Sequence, residues 1–281
     1  MKTSLPLVSV ILPTYNRAWA LEKAVDSVLT QQYTRFELIV VDDGSTDETA
    51  SLLRKYDDRV QVVTQTNRGV SAARNVGIQQ ARGELIALLD SDDAWLPGKI
   101  NVQVEYFLNH PACRICQTEE IWIRNGVRVN PRKRHRKEAG MIFEKSLALC
   151  LVSPSAVMMR KSLLDEVGLF DENLPACEDY DLWLRVAWKY PVHLIDQQLI
   201  VKNGGHADQL SRMPELDKFR IQSICQLLDK NCLSQDQEKA ALEVLQDKCT
   251  IYGQGCLKRG RVQEARDYEK LVDGYRKIRK E

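Results

Sequence analysis

An apolar run, Leu85-Ile86-Ala87-Leu88-Leu89, leads straight into Asp90-Ser91-Asp92-Asp93. Such a run reads as a strand buried on both faces, as in a parallel sheet covered by helices. Ligands of such sheets bind at the carboxyl ends of the strands, where these acids lie. Strand side chains alternate, so Asp90 and Asp92 would point the same way while the chain stays extended. Two carboxylates on one side repel unless a cation lies between them. Hard oxygen donors suit Mg²⁺ or Mn²⁺, and either ion can bridge to phosphate oxygens. The same acids could instead cap a helix beginning near Trp95-Leu96-Pro97.

Three further polar clusters stand at strand ends or a helix start: Pro13-Thr14-Tyr15-Asn16-Arg17, Asp42-Asp43-Gly44-Ser45 and Glu178-Asp179. The first two and the Asp90 cluster would share one edge of a parallel sheet. A dinucleotide fold needs glycines after its first strand so that pyrophosphate can approach the backbone. That position holds Pro13-Thr14-Tyr15-Asn16, which disfavours a dehydrogenase, and no P-loop pattern occurs. Asp42 and Asp43 have a second reading. Gly44 permits a tight turn, Ser45 or Thr46 can cap the next helix, and Asp47 and Glu48 suit its positive end.

The elements that must position these groups follow from periodicity. Val8–Leu12, Phe36–Val41, Val60–Val63 and the run from Leu85 read as strands. Between the first two, Leu21, Ala24, Val25, Val28 and Leu29 fall on one helix face. A small-residue helix through Ser71–Asn75 precedes the run from Leu85. Regular alternation over about a hundred residues predicts a doubly wound parallel α/β sheet. After Ile100 the rhythm changes. Arg114–Ile123, Val157–Arg160 and Val192–Val201 are strand-like, and Glu178 opens a helix with Trp183, Val186, Ala187 and Tyr190 on one face. The basic stretch Pro131–Lys137 reads as a solvated loop.

From Pro214 onward the pattern is helical. Phe219, Ser223, Gln226 and Leu227 begin one face, Leu242, Leu245, Cys249, Tyr252 and Cys256 line a second, and Ala265, Tyr268, Val272 and Tyr275 a third. Tyr252–Arg266 resembles a single tetratricopeptide-type hairpin, which must pack on something else. The expected division is a catalytic domain over 1–212 and a helical extension over 213–281, docked on that domain or pairing copies of the chain as a homo-oligomer.

Length, at 281 residues, and 44% apolar content allow one large core. A formal net charge of +1 gives no general attraction to nucleic acid. No run approaches the ~20 apolar residues of a membrane span. The first residues lead directly into a strand without a leader pattern, so the expected location is cytoplasmic, with any membrane association peripheral, at the inner face. Cys113 and Cys116 form one CxxC without a second pair, which argues against zinc.

Val8–Arg17, Val40–Asp47, Gly69–Gly77, Leu88–Lys99 and Gly168–Arg185, taken in order, closely resemble the family 2 inverting glycosyltransferases. The resemblance runs from about Ser4 to His206. It implies the GT-A nucleotide-sugar-binding fold, with a mainly parallel central sheet flanked by helices. Pro13, Thr14, Tyr15 and Asn16 match the segment lining the nucleoside pocket. Asp43 matches the acid that bonds the base, commonly a uracil N–H, and Arg74 a donor-binding arginine. Asp90-Ser91-Asp92 matches the family's DxD motif, with Asp90 at ribose or metal and Asp92 on the divalent cation, Mn²⁺ or Mg²⁺. Glu178-Asp179 matches the family's ED motif, with Asp179 the general base and Glu178 positioning acceptor or loop. His206 resembles a histidine that some relatives place near diphosphate or metal.

The partners so implied are a nucleotide-sugar donor, a UDP-sugar first, and a glycan or lipid-linked acceptor. Two other classes compete. A nucleotidyltransferase would carry a glycine-rich basic signature near the first strand, which Pro13–Arg17 does not supply. A non-catalytic sugar-nucleotide binder would tend to lose its base or metal acids, and Asp92 and Asp179 are both present.

Overall fold

A computed structural model describes residues 5–278 apart from Pro131 and Ala207. Ser4, the first residue of the basic stretch, Ala207 of the His206 loop and the last three residues of the helical extension therefore lie outside the described residues.

β1 (Val8–Thr14), β2 (Phe36–Asp42), β3 (Gln61–Thr64) and β4 (Leu85–Leu88) alternate with α1 (Ala18–Leu29), α2 (Thr49–Leu53) and α3 (Val70–Gln80). β5 (Ala94–Trp95), α4 (Lys99–Asn109), β6 (Ile115–Arg124), β7 (Val127–Val129) and α5 (Phe143–Ala148) follow. Next come β8 (Val157–Arg160), α6 (Lys161–Val167), α7 (Glu178–Ala187) and β9 (His193–Gly204). α8 (Leu216–Asp229), α9 (Gln235–Lys258) and α10 (Val262–Ile278) complete the chain.

One sheet runs β3-β2-β1-β4-β8-β6-β9-β5, with β7 beside the outer half of β6. β1 to β4 are parallel, as the alternation predicts. Beyond them the sheet is mixed. β8 is antiparallel to both β4 and β6, while β6 and β9 are parallel. The reversal matters because it brings the start of β8, and Ser155 just before it, to the edge where β1, β2 and β4 end.

The near-continuous apolar strands are explained by cover on both faces. Ile11, Ile39, Val41, Ile86 and Leu88 enter one apolar cluster. Their neighbours Val10, Leu12, Leu38, Val40, Leu85 and Ala87 enter the other. This is the two-residue period of a strand feeding two cores. α1 covers the second cluster with Leu21, Ala24, Val25 and Val28. α3 covers the first and lies very close to β1. A Cβ on Gly77 would come within 2.4 Å of Ile11 Cγ2, so glycine there lets α3, and Arg74 one turn earlier, sit against the sheet.

α8, α9 and α10 share the first cluster through Ile221, Ile224, Leu245, Tyr252, Cys256 and Val272. The buried face of α8 is centred on Ile221, Ile224, Leu227 and Leu228, wider than the face from Phe219. Gln237 Nε2 donates to Trp188 O at 2.8 Å and Lys248 Nζ to Ala148 O at 3.3 Å, tying α9 to the ends of α7 and α5. Ser234 and Gln237 form a reciprocal capping box at the start of α9. Ile221, Leu245, Tyr252, Cys256 and Val272 are thus covered within the chain, whereas Ile251, Leu257 and Val262 are exposed.

Candidate active site

The loops after β1 and β2 are bonded to each other. Asn16, at φ 50°, donates its N–H to Ser45 Oγ at 2.8 Å, and its Oδ1 accepts from Thr46 N at 2.8 Å. Asn16 therefore braces the edge with its own side chain, and Ser45 joins the loops where a helix cap was expected. Asp47 Oδ1 accepts from Thr49 N at 3.0 Å and caps α2 instead. Asp42 Oδ1 accepts from Ser45 N at 2.9 Å, closing the turn at Gly44. Asp43 is buried and faces the loop after β3. Its Oδ1 accepts from Gln65 Nε2 at 2.6 Å and Arg68 N at 2.9 Å, and its Oδ2 from Gly69 N at 2.8 Å. A carboxylate has about four acceptor positions, so one remains for a ligand donor. Tyr15 is 46% exposed at this edge. Thr14 Oγ1 is buried and has no hydrogen-bond partner among the described residues.

β4 ends at Leu88, sooner than the apolar run suggests. Asp90 to Asp93 form a turn in which Asp93 N donates to Asp90 O at 3.0 Å. Asp90 and Asp92 are neighbours because of this turn and not through strand alternation. Asp93 caps no helix. Trp95 lies in β5, and α4 begins only at Lys99, after Gly98. Asp93 is buried and locks the turn. Ser155 Oγ donates to Asp93 Oδ2 at 2.7 Å and accepts from Asp90 N at 3.1 Å, while Asn203 N donates to Asp93 Oδ1 at 2.9 Å. Burial, then the nearby Asp92 charge, raises the Asp93 carboxyl well above its ordinary range.

Arg74 joins the turn to the helix that carries the ED pair. Its Nη2 donates to Asp90 Oδ1 at 2.7 Å and its Nη1 to Glu178 Oε1 at 2.6 Å. The guanidinium lies 5.0 Å from the Phe170 ring, and Asn75 fixes Phe170 by bonding both its N–H and its carbonyl. Although burial disfavours the charge, Asp90 and Glu178 hold Arg74 protonated more firmly than a free guanidinium. Its planar fork thus serves two acids. Removing one partner of a buried ion pair costs about 3–5 kcal/mol because the other charge stays buried. Arg74→Met should therefore lower the denaturant-derived stability by about that much. Adding Glu178→Gln should restore part of the loss, since the neutral amide needs no counter-charge. An Arg74→Met protein as stable as the parent would contradict this assignment.

Asp92 and His206 are brought together across the edge, with Nε2 2.7 Å from Asp92 Oδ2. His206 Nδ1 lies 2.6 Å from Asp208 Oδ1, Arg17 pairs with Asp208, and Trp19 packs edge-on to the imidazole at 5.4 Å. Burial, then the Asp90 charge, raises the Asp92 carboxyl. Two carboxylates and an imidazole at this edge suit Mn²⁺ or Mg²⁺ by donor type, and a cation would relieve the repulsion between Asp90 and Asp92. Among the described residues no three such side chains gather closely enough to enclose an ion.

Asp179 stands in the first turn of α7, preceded by Cys177 at φ 63°. Its Oδ1 accepts from Tyr180 N at 2.7 Å, and Cys150 Sγ lies 3.5 Å from its Oδ2. Glu178 is buried on Arg74; burial, which outweighs the pull of Arg74, raises its carboxyl.

Lys202 of β9 escapes a reading by motif. Burial disfavours its charge, yet Glu120, Asp93, Asp90 and Asp179 hold its ammonium above the ordinary range. Its Nζ donates to Ser153 Oγ at 3.2 Å. The only sequence signal was a lysine following the apolar run Leu199-Ile200-Val201.

The profile of Glycosyl transferase family 2 matches residues 9–168. An uncharacterized glycosyltransferase of Rickettsia prowazekii is 34% identical over 209 residues, 73% of this chain and 65% of that protein. The chain therefore spans less than two thirds of that relative. The Escherichia coli UDP-Glc:alpha-D-GlcNAc-diphosphoundecaprenol beta-1,3-glucosyltransferase WfgD is 33% identical over 185 residues, 64% of this chain and 69% of WfgD. Among solved structures, S. aureus TarS 1-349 with UDP-GlcNAc superposes at TM-score 0.69 and 18% identity, covering 95% of this chain and 92% of that one. The mannosyltransferase PcManGT of Pyrobaculum calidifontis, with GDP-Man and Mn2+, superposes at TM-score 0.60 and 18% identity, covering 95% and 74%. At such identity the structural likeness concerns the fold.

Proposed function

The chain belongs to glycosyl transferase family 2 and has the GT-A nucleotide-sugar-binding fold, and on that premise we propose that it transfers a sugar from a UDP-sugar to an acceptor hydroxyl with inversion at the anomeric carbon. The observation that carries this reading is the Arg74 bridge between Asp90 and Glu178. It holds the acid turn after β4 beside the helix start that presents Asp179, which supports a donor site and a base sharing one edge of the sheet.

In this reading Pro13, Thr14 and Tyr15 line the nucleoside pocket, with Asp43 offering its remaining acceptor position to a base N–H. Asp90 and Asp92, with His206, would hold a divalent cation. When bound, that cation supplies charge neutralisation for the departing diphosphate. Asp179 accepts the acceptor hydroxyl's proton as that oxygen attacks the anomeric carbon from the face opposite the diphosphate. Glu178 is a positioning residue acting through Arg74. Residues 213–281 form a helical extension that, over its described residues, supports α5 and α7 and contributes no group to the donor site.

WfgD acts on a diphosphoundecaprenol-linked sugar, TarS was crystallised with UDP-GlcNAc and PcManGT with Mn2+. These names support a UDP-sugar, Mn²⁺ and a lipid-linked or glycan acceptor for this chain. No helix among the described residues is long and apolar enough to cross a membrane. A lipid-linked acceptor would bring the protein to the cytoplasmic face of a membrane as a peripheral partner.

The test is a thermal-unfolding screen of nucleotide sugars with and without Mn²⁺. A ligand bound only by the folded state, at a hundredfold excess over its Kd, adds about 2.7 kcal/mol of stability. One or more UDP-sugars should raise the midpoint in Mn²⁺ and be slowly hydrolysed to UDP. Protection without any hydrolysis would favour a non-catalytic binder, and no protection by any nucleotide sugar would refute the reading.

A further inference from the structure

Arg132, Lys133, Arg134 and Arg136 of the basic stretch are exposed, as a solvated loop would be, but Lys137 is buried. Residues 132–137 fold back over β6 and close a pocket of about 220 Å³. Glu119, Glu120 and Trp122 of β6 form its floor, and Arg132, Lys133 and Arg136 stand in its wall. Lys137 anchors the arm. It is buried, its Nζ donates to Gln117 Oε1 at 3.0 Å, and it lies 3.3 Å from Glu120 Oε2. His135 brings its ring to 5.6 Å from that of Trp122. Arg132, Lys133 and Arg136 are exposed, and no carboxylate among the described residues forms an ion pair with them.

The pocket adjoins the candidate active site. Trp122 and Lys202 are register partners on β6 and β9, with the Lys202 ammonium 5.8 Å from the indole centroid. Lys202 Nζ also donates to Ser153 Oγ at 3.2 Å, and Ser155, two residues on, bonds Asp90 N and Asp93 Oδ2 in the acid turn.

We propose that this pocket is an acceptor subsite for a phosphorylated sugar. The sugar ring stacks on Trp122, its hydroxyls donate to Glu119, and its phosphate is held by Arg132, Lys133 and Arg136, while Glu120 is occupied by Lys137 and by the Trp122 indole N–H at 2.8 Å. Each part has a matching chemistry: an aromatic face for the C–H face of a sugar, a carboxylate acceptor for hydroxyls, and guanidinium forks for phosphate oxygens. A flat anionic membrane surface fits less well. The cations line a concavity, which a single phosphate can enter and a flat surface cannot. The inference rests on the glycosyltransferase reading, because it makes the phosphosugar the acceptor.

The test is calorimetry in Mn²⁺ and saturating UDP. The probes are a panel of hexose and N-acetylhexosamine 1-phosphates, each paired with its uncharged methyl glycoside. At least one phosphate should bind tenfold or more tightly than its glycoside. The double variant Arg132→Gln/Arg136→Gln should erase that advantage and leave UDP binding unchanged, while Trp122→Ala should weaken the phosphate and the glycoside alike. Equal affinity within every pair, no binding of any probe, or an advantage that survives in the double variant would overturn the proposal. So would co-sedimentation with phosphatidylglycerol vesicles that the double variant loses, without any preference among the sugars; the arm would then belong to a membrane surface. UDP titration of the parent protein reports on the donor reading separately: failure there removes the glycosyltransferase premise, whereas failure of the paired probes alone removes only the subsite.

Discussion

Asp179→Asn should lower the turnover number by ~10²-fold or more, the low end of what a general base contributes, and leave UDP affinity nearly intact. Asparagine has almost the same shape, and its amide oxygen can still accept the Tyr180 N–H that Asp179 Oδ1 accepts at 2.7 Å. The start of α7 is also held from elsewhere, by Glu178 on Arg74 and by Tyr180 Oη donating to Leu147 O at 2.7 Å. The fold should therefore survive, and the loss should fall on proton acceptance alone. The measurement is single-turnover transfer beside calorimetric UDP titration, on parent and variant. If UDP binding fell as far as turnover, Asp179 would belong to the donor site or the structural frame.

Asp92→Asn should abolish measurable transfer and remove the Mn²⁺ dependence of UDP binding. It should also make the metal-free protein no less stable, and this second outcome separates a ligand from a structural acid. The folded-state pKa of Asp92 is raised by burial and by Asp90. A raised carboxyl pKa means the folded state resists the charge. Stability linked to Asp92 is complete below its unfolded-state pKa and is lost as pH rises through the folded one. At neutral pH the ionised group is therefore a cost that asparagine removes, while its amide oxygen still offers an acceptor to His206 Nε2. Thermal midpoints in chelator should be equal or higher for the variant, and Mn²⁺ with UDP should raise only the parent's. A variant that unfolds early in chelator would make Asp92 a structural acid, and one with undiminished Mn²⁺-dependent UDP binding would remove it from the metal site.

How the groups came to be legible differs from one to the next. The strands β1 to β4 and the helices between them were written in local periodicity, since a parallel sheet covered on both faces needs unbroken apolar runs. The acids Asp43, Asp90 and Asp92 stood out because each follows such a run, where polar residues can only face the sheet edge. Glu178 and Asp179 stood out as acids opening an amphipathic helix. The apolar faces of α9 and α10 were likewise visible as spaced repeats.

What each acid does was not local. Asp92 meets His206 across 114 residues and Arg74 meets Glu178 across 104. Asp93 resembled a helix cap by its neighbours, yet its partners are Ser155 and Asn203, delivered by the reversed β8 and by β9. Lys202 stands beside Trp122 only because β9 pairs in parallel with β6, and the basic arm makes a wall only because Lys137 is buried beneath it. Periodicity in a sequence records which side of an element is buried. It carries no register between strands far apart in the chain, and a buried charge is stable only where that register supplies its partner. The sequence by itself thus determined the family, the early strands and the acids that can do chemistry. The tertiary structure decided which partner each of those acids is bonded to, and where a pocket opens beside them.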